Sequence, residues 1–522
     1  MTQIKKNTIL RANIIVLAVA VLVAFLQANP VTSVAAGAPI QPQVAMLILV
    51  GVLSISAAIW QISRKKTDSE GLILWSIWFG MLMRAGYVLF HDIHTLQNDD
   101  GTYTGFGTEM INNGHIGYIE YIYKFFHLPD MNPYDHFGYY HPPLHHIIEA
   151  IWMTVQRLLG VDEALAFENL QVPTLIYSGL CMVVMLCILL ESGIKKDYLP
   201  LGLALFAFHP RMMVLGGSVN NDILALLLLL ATIWRTLVWI RNKTFGNIIL
   251  IALSLGFGMI SKLNTAICAF SIALIFLMHF ISVIRSGDKK AVGNAFLQYV
   301  VFGVISIPIG LSYIVRNLVL FGEKPGIPSP ALIPNESIMY TGEYSVWSII
   351  GIPSIAELHA EFPFHPLSAA AIHNTWVILF QTGLFAEGYP MGISNSLLAF
   401  AQIAYVASII AGILATIVFI AGYLKKLFGE IREKKPVLRT TFLTFTYIFM
   451  LLSFCLYVFK YPYTCSSDFR YMTASLVFTS LGIVYACDEI KGKVGAALKY
   501  ILCTSLAATI VGSLIVYLFW GI

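Results

Sequence analysis

The most polar stretch of the chain begins with HDIHTLQNDD at residues 91–100 and ends with YYHPPLHH at residues 139–146. Acids, histidines and tyrosines are concentrated here, whereas most of the remaining sequence is a series of long apolar segments. A protein embedded in lipid keeps its ionisable groups where water or a partner charge reaches them. We therefore expect the chemistry of this chain to lie in or beside this stretch.

The composition is that of a polytopic membrane protein. Of 522 residues, 58% are hydrophobic and 11% are charged, and the mean hydropathy of +0.77 lies outside the range of soluble domains. The net charge of +4 comes without a long basic patch, so nucleic acid is not an expected partner. Among the seven cysteines only Cys465 falls in a predicted loop, which argues against a disulfide framework or a cysteine zinc site.

About thirteen apolar segments are candidates for membrane spans, each of which needs roughly 20 apolar residues. The expected fold class is therefore an all-α polytopic membrane protein. The first segment is long and is soon followed by another, which favours a retained helix over a cleaved signal peptide. The predicted spans are residues 9–28, 43–62, 71–90, 170–190, 198–215, 218–240, 246–261, 264–284, 294–320, 395–423, 440–459, 471–487 and 498–520.

The basic residues decide the orientation of these spans. Segment 142–159 is also apolar with a helical period, and whether it crosses the membrane changes the side of every later loop. If it lies along the surface, most of the 32 basic residues fall on one face, which the positive-inside rule assigns to the cytoplasm. We therefore predict a cytoplasmic N-terminus and two large outer loops, 91–169 and 321–395. Each loop carries an interfacial helix, the second near residues 369–385.

Four acids are candidates for acid–base chemistry. Asp92 follows the third span, where partial desolvation can raise the basicity of a carboxylate that a reacting partner still reaches. The alternative for Asp92 is a helix-end acid that only hydrogen-bonds its own loop. Asp99 and Asp100 are possible second acids, although paired acids in a Gly/Thr-rich stretch are commonly solvated turn residues. Glu387 follows the interfacial helix of the second loop, where it either anchors that loop or faces the reacting partner.

Cationic side chains on the outer side are the second feature that indicates a functional site. Arg211, Lys262, Arg316 and Arg470 lie near outer ends of spans, where the charge bias disfavours them. Arginine matches phosphate oxygens with a fork of donors and lysine supplies a point charge, so an anion is an expected ligand. Snorkelling to lipid headgroups is the alternative. His141 could add a contact, because the helix start beside it offers free amide donors.

Histidines of the first loop raise the question of a metal ion. His91, His94 and His145 are possible ligands of a divalent metal. No firm ligand motif is present, however, and interfacial histidines commonly bind water and carbonyl groups, so no cofactor is required. Six residues are expected to support the site: His91, His115, Tyr140, His145, Asn221 and Asp222. Helix capping is the alternative role for Asn221 and Asp222, which begin a span.

The order of motifs along the chain resembles the GT-C superfamily of integral membrane glycosyltransferases. The likeness is strongest to the branch that contains the protein O-mannosyltransferases and the lipid A aminoarabinose transferase, and it covers roughly residues 71–487. The order of the motifs along the chain is more specific to this superfamily than any single motif. The motifs are an acid after an early span, the aromatic-His-Pro-Pro-Leu segment, Asn221-Asp222, SKLN at 261–264, LFAE at 384–387 and DFRY at 468–471.

The resemblance implies a sugar donor carried on a polyprenyl phosphate, used on the extracytoplasmic face of a bacterial-type plasma membrane. It implies that Asp92 deprotonates an acceptor hydroxyl of a protein, glycan or glycolipid, and that the anomeric carbon is attacked with inversion. His141, Arg211, Lys262 and Arg470 would then stabilise the leaving phosphate. Where the aminoarabinose transferase has a lysine before Pro-Pro, this chain has His141.

The resemblance also implies the domain organisation. Residues 1–70 would form two additional N-terminal helices, residues 71–490 a GT-C-like catalytic module and residues 491–522 a C-terminal helix.

Two other classes of function stay open at the level of sequence. A secondary transporter or flippase of a lipid-linked or anionic solute is the main alternative. Transporters place ionisable residues near the membrane midplane in broken helices and often contain repeated halves. Here the acids cluster in an outer loop and no repeat is evident, which favours the enzyme. A non-catalytic lipid-binding scaffold would share the cations but would have no use for Asp92.

Overall fold

The computed structural model shows an all-helical protein. It describes residues 6–28, 42–93, 113–324, 340–341, 345–354, 358, 373–386, 394–433, 437–489 and 492–519. Within these ranges no β-strand occurs, and the single extended pairing is an isolated bridge between Tyr340 and Tyr463. Four residues singled out in the sequence lie outside the described ranges, namely His94, Asp99, Asp100 and Glu387.

Ten helices in the described part of the chain are long and apolar enough to cross a membrane. They confirm the prediction of an all-α, polytopic integral membrane protein. Three further apolar helices in the described residues, α11, α15 and α18 below, are shorter than these ten. The helices are α1 Lys6–Ala28, α2 Pro42–Ser63, α3 Ser69–Phe90, α4 Gly114–Phe125, α5 Leu144–Leu158, α6 Glu163–Glu168, α7 Gln171–Glu191, α8 Leu199–Ala207, α9 Pro210–Leu215, α10 Asp222–Arg241, α11 Phe245–Ser261, α12 Ile267–Arg285, α13 Lys289–Phe321, α14 Val346–Ile350, α15 Thr375–Phe385, α16 Asn395–Arg432, α17 Leu438–Lys460, α18 Ser475–Glu489 and α19 Gly492–Phe519.

One predicted span is divided in two. The prediction of a continuous helix over residues 198–215 is wrong, because α8 ends at Ala207 and α9 begins at Pro210. Proline has no amide hydrogen to donate, so it suits the first position of a helix and disrupts an interior one. The carbonyl of Ala207, the last residue of α8, accepts a hydrogen bond from Arg84 Nη1 of α3 at 2.9 Å. Each of the other predicted spans corresponds to one helix.

Ionic contacts gather basic segments at one end of the bundle, which we call the basic end. Arg241 Nη1 lies 3.2 Å from Glu191 Oε1, which joins the last residues of α7 and α10. Lys196 Nζ lies 3.4 Å from Glu70 Oε1 at the start of α3. The helix ends that carry the predicted site residues belong to the opposite end, which we call the site end.

The first outer loop is folded against the site end. Helices α4 and α5 pack on each other, and the segment between them is fastened to α13. Tyr313 Oη donates to the Tyr139 carbonyl at 2.8 Å, and Arg316 Nη2 donates to the Pro129 carbonyl. Just beyond the end of α13, Glu323 Oε1 accepts a hydrogen bond from Asn132 Nδ2 at 2.8 Å. The loop and the end of α13 therefore form one continuous wall.

The two helices predicted at the membrane interface differ in their surroundings. Helix α5 buries one face and exposes Ile151 and Leu158 on the other, as a helix on a membrane surface would. Helix α15 is instead buried along most of its length, including Val377 and Phe385. It packs against α9, α16 and the turns that follow α17. Its apolar composition reflects burial inside the protein, which sequence alone did not separate from burial in lipid.

Candidate functional site

A cavity of about 430 Å³ opens at the site end. Its wall comes from the first outer loop, the start of α10, the corner between α11 and α12, the end of α13, helix α17 and the turn before α18. The cavity brings together five of the residues predicted from the sequence: Tyr140, His141, Asp222, Lys262 and Arg470.

Two cations and one carboxylate form the charged part of the cavity. Lys262 Nζ donates to Asp222 Oδ1, and Arg470 Nη1 lies 4.0 Å from Asp222 Oδ2. All three side chains are buried. Buried charges are stable only when they are compensated, and among the described residues Asp222 contacts both cations. Two cationic side chains in one cavity have the chemistry to bind an anionic group such as a phosphate.

Hydrogen bonds between helix ends explain how the first two of these residues meet. Asn220 Oδ1 accepts from the Asp222 amide at 3.0 Å, which starts α10. Asn221 Nδ2 donates to the Ser261 carbonyl at 2.7 Å, which ties this start to the end of α11. Lys262 is the next residue and so lies beside Asp222. The motifs around Asn221 and Lys262 are thus two halves of one junction.

Arg470 is presented by a short 3₁₀ turn, Phe469–Met472. Asp468 Oδ1 caps this turn by accepting from the Arg470 amide at 2.6 Å. The same oxygen accepts from Arg211 Nη2, also at 2.6 Å, and both side chains of this ion pair are fully buried. Arg211 is not among the residues that line the cavity. The structure places it behind the turn, where it holds the carboxylate that positions Arg470.

Asp92 lies at the site end but is exposed and does not line the cavity. Its segment is fixed by Gln171, whose Nε2 donates to the His91 carbonyl at 3.1 Å and to the Gly217 carbonyl at 3.0 Å. Gly217 precedes the junction at Asp222 by only a few residues. The His91 ring is buried against Tyr87, with 4.4 Å between ring centres.

Histidines of the first loop stack in a row that leads away from the cavity. His141 lines the cavity and stacks on His115, with 4.9 Å between ring centres. His115 Nδ1 is 2.8 Å from His146 Nε2. Within the described residues no group of three or more histidine, cysteine, aspartate or glutamate side chains is arranged to hold a metal ion. The candidate ligand His94 lies outside those residues.

Glu149 is a buried acid to which sequence reasoning gave no role. It follows His145 by one helical turn, and its Oε1 is 3.8 Å from His145 Nδ1. In the described part of the chain neither carboxylate oxygen has a hydrogen-bond partner. Burial raises the pKa of Glu149 well above its usual value. Burial, aided by the nearby His115, lowers the pKa of His145 to about 3, while Asp222 acts in the opposite direction. In the sequence, only the i, i+4 spacing of His145 and Glu149 indicated that these two side chains could meet.

We expect Glu149→Gln to be more stable than wild type at neutral pH, because burial holds Glu149 protonated in the folded protein whereas glutamine takes up no proton on folding. Because its pKa is raised on folding, the folded chain keeps a proton that the unfolded chain releases above about pH 4.5. Wild-type stability therefore falls as pH rises above this value, whereas the variant lacks that loss. Reversible unfolding in mixed micelles at pH 4 and pH 7.5 measures the difference, which should vanish at the lower pH.

The matched control for this prediction is Glu191→Gln. Glu191 is also buried but is paired with Arg241, so the control should lose stability at neutral pH. A Glu149→Gln variant with the same pH dependence as wild type would show that Glu149 is charged in the folded protein.

The sequence matches no protein-family model and no curated protein. Three solved structures are similar to this fold, and each alignment covers 85% of this chain. The Archaeoglobus fulgidus oligosaccharyltransferase complex with zinc and sulfate has a TM-score of 0.48, 12% identity and 53% of its own chain covered. AglB from the same organism, in complex with an inhibitory peptide and a dolichol-phosphate, has a TM-score of 0.46, 10% identity and 55% coverage. ArnT from Cupriavidus metallidurans bound to undecaprenyl phosphate has a TM-score of 0.45, 13% identity and 76% coverage.

The chain spans about half the length of the archaeal oligosaccharyltransferase chains that it matches. At these identities and TM-scores the comparison is one of overall fold alone.

Proposed function

We propose that this chain is a membrane glycosyltransferase that moves a sugar from a polyprenyl-phosphate donor to an acceptor hydroxyl. The observation that carries the proposal is the buried cation pair Lys262 and Arg470, which lies in one cavity with an apolar wall. A lipid phosphate needs both surfaces, because its head is anionic and its chain is hydrocarbon. The charge bias of the loops supports an extracytoplasmic site in a bacterial-type plasma membrane.

The cavity lining supports a definite placement of the donor. The phosphate would lie against Lys262 and Arg470, since charge-assisted hydrogen bonds to phosphate are among the strongest in proteins. The chain would follow apolar side chains of the spans α12, α13 and α17, among them Ile267, Ile314 and Phe454. These helices would face the lipid that delivers the donor.

Asp92 is the proposed base. Asp222 lies in the cavity but already compensates two cations, so a proton would bind it only at the cost of that compensation. Asp92 is exposed at the same end of the bundle, where an acceptor can reach it. Asp99 and Asp100 are the second candidates.

The proposed reaction is a single displacement with inversion. Asp92 takes the proton of the acceptor hydroxyl, and the acceptor oxygen forms a bond to the anomeric carbon. The bond between that carbon and the phosphate oxygen breaks, and its electron pair leaves with the polyprenyl phosphate. Lys262 and Arg470 stabilise the charge that develops on the leaving phosphate, and Arg211 acts indirectly by holding Arg470 through Asp468.

The location of the charged groups also bears on the transporter alternative. A transporter would place its ionisable residues near the midplane of the membrane. Here Asp222 is the first residue of α10 and Lys262 directly follows α11, so the charges lie at helix ends. This position supports a reaction at the membrane surface rather than passage through it.

Binding of undecaprenyl phosphate in lipid nanodiscs tests the proposal. We expect Lys262→Met to weaken binding by about 10- to 100-fold, because it removes one charge-assisted hydrogen bond. Lys460→Met is the control, since this exposed lysine ends α17 without lining the cavity. Equal affinities in both variants would show that the cavity is not the phosphate site. Solute uptake into proteoliposomes, without release of undecaprenyl phosphate from sugar-bearing lipid, would favour a transporter.

A further inference from the structure

Three tyrosines form an aromatic surface on the α17 side of the cavity, which we call the tyrosine platform: Tyr457, Tyr461 and Tyr471. The ring centres of Tyr457 and Tyr461 are 5.3 Å apart, and those of Tyr457 and Tyr471 are 5.0 Å apart. Both pairs are tilted by 54°, so the rings form an angled surface rather than a flat stack. The reaction described above assigns these rings no role.

The platform lies at a defined height along the cavity. Helix α17 contributes Met450, Phe454 and Tyr457 on successive turns, and Tyr461 directly follows its last residue. With a rise of about 1.5 Å per residue, Tyr461 lies about 10 Å beyond Phe454 and about 6 Å beyond Tyr457. The lining therefore changes from apolar to aromatic toward the site end.

The cations lie level with the inner part of the platform. Lys262 Nζ is 5.1 Å from the centre of the Tyr471 ring, and Arg470 Cζ is 5.0 Å from it. Tyr457 Oη donates to Tyr471 Oη at 3.4 Å. From the membrane outward, the order along the wall is thus apolar side chains, then the cation pair with Tyr457 and Tyr471, then Tyr461.

This order matches the order of groups in a lipid-linked sugar, which is hydrocarbon, phosphate, sugar. A phosphate held by the cations with its chain on the apolar wall places the sugar beside Tyr461. A pyranose ring is about as wide as one turn of helix, which is the separation of Tyr457 and Tyr461. Its C–H face suits an aromatic ring, and its hydroxyls suit the tyrosine hydroxyls.

We propose that the tyrosine platform is the sugar subsite of the donor, and that Tyr461 stacks on the face of a pyranose ring. The inference rests on the proposed function, because the phosphate position sets the position of the sugar. It goes further by assigning the residues that distinguish a sugar-bearing lipid phosphate from a bare one. The competing role for these rings is a belt of interfacial tyrosines with no ligand.

Lipid binding in nanodiscs separates these roles. The probes are undecaprenyl phosphate and undecaprenyl phosphates that carry glucose, galactose or mannose. We expect at least one sugar-bearing lipid to bind the wild type three- to tenfold more tightly than the bare lipid, the range of a stacking contact. Tyr461→Leu should lose this gain while its affinity for the bare lipid stays unchanged, and Tyr461→Phe should keep most of it.

The matched control is Tyr500→Leu, because Tyr500 is 74% exposed on α19 and does not line the cavity. It should change neither affinity. If Tyr461→Leu does not fold, Tyr461→Met carries the same expectation. The inference is overturned if no sugar-bearing lipid binds wild type more tightly than the bare lipid, or if the gain survives in the folded Tyr461 variant. If wild type binds neither kind of lipid, the proposed function fails instead.

Discussion

Asp92→Asn is expected to slow sugar transfer by about 10²- to 10⁴-fold, the contribution of a well-placed general base. Asparagine has nearly the shape of aspartate but cannot take the acceptor's proton. Because Asp92 is exposed and lies outside the cavity lining, its loss should leave the affinity for undecaprenyl phosphate unchanged. The measurement is the turnover of a sugar-bearing undecaprenyl phosphate, together with binding of the bare lipid by the same preparation.

Two comparisons make this result specific. Asp135→Asn changes another exposed acid of the first outer loop and should leave both turnover and binding unchanged. Asp222→Asn should change binding as well as turnover, since Asp222 contacts both cations of the pair. Full turnover by Asp92→Asn would reject Asp92 as the base and would direct attention to Asp99 and Asp100.

Asp468→Asn is expected to lower the free energy of unfolding by about 3–5 kcal/mol, the usual cost of breaking a buried ion pair from one side. The change leaves the Arg211 guanidinium fully buried without its counter-charge. It also weakens the cap of the turn that presents Arg470, so binding of undecaprenyl phosphate should weaken as well. Unfolding in mixed micelles and lipid binding measure the two effects.

A double variant tests whether the pair itself is responsible. Arg211→Met with Asp468→Leu replaces both charges by apolar groups and should recover most of the lost stability, because no charge is left uncompensated. If Arg211 instead contacts the donor, Arg211→Met alone would weaken lipid binding without a loss of stability. That result would restore the role that the sequence predicted for Arg211.

Most of the helical architecture could be predicted from the sequence because the length of an apolar segment is set by the thickness of the bilayer. The division at Pro210 was the failure, although its signal was visible. A proline within an apolar run ends or kinks a helix, and hydropathy averaged over the run conceals a single residue. The burial of α15 could not be predicted, since an apolar helix has the same composition whether lipid or protein covers it.

The sequence singled out residues of the candidate site but not their pairings. The unusual location of a cation at an outer helix end drew attention to Lys262 and Arg470, and both line the cavity. The same reasoning could not separate Arg211 from them, because its partner Asp468 lies 257 residues away in the sequence. The tyrosine platform was missed for a related reason. Aromatic residues are common near membrane surfaces, and only their shared position in space distinguishes these three.

The attachment of the first outer loop to α13 limits how a lipid could use the cavity. Three contacts fasten the loop to the end of α13, and both the loop and α13 lie in the wall of the cavity. For a lipid-linked donor, the tail would stay in the bilayer while the head slides in sideways between helices. The cavity would then admit only the headgroup of the lipid. The polyprenyl phosphate left after the reaction would leave through the same gap between helices.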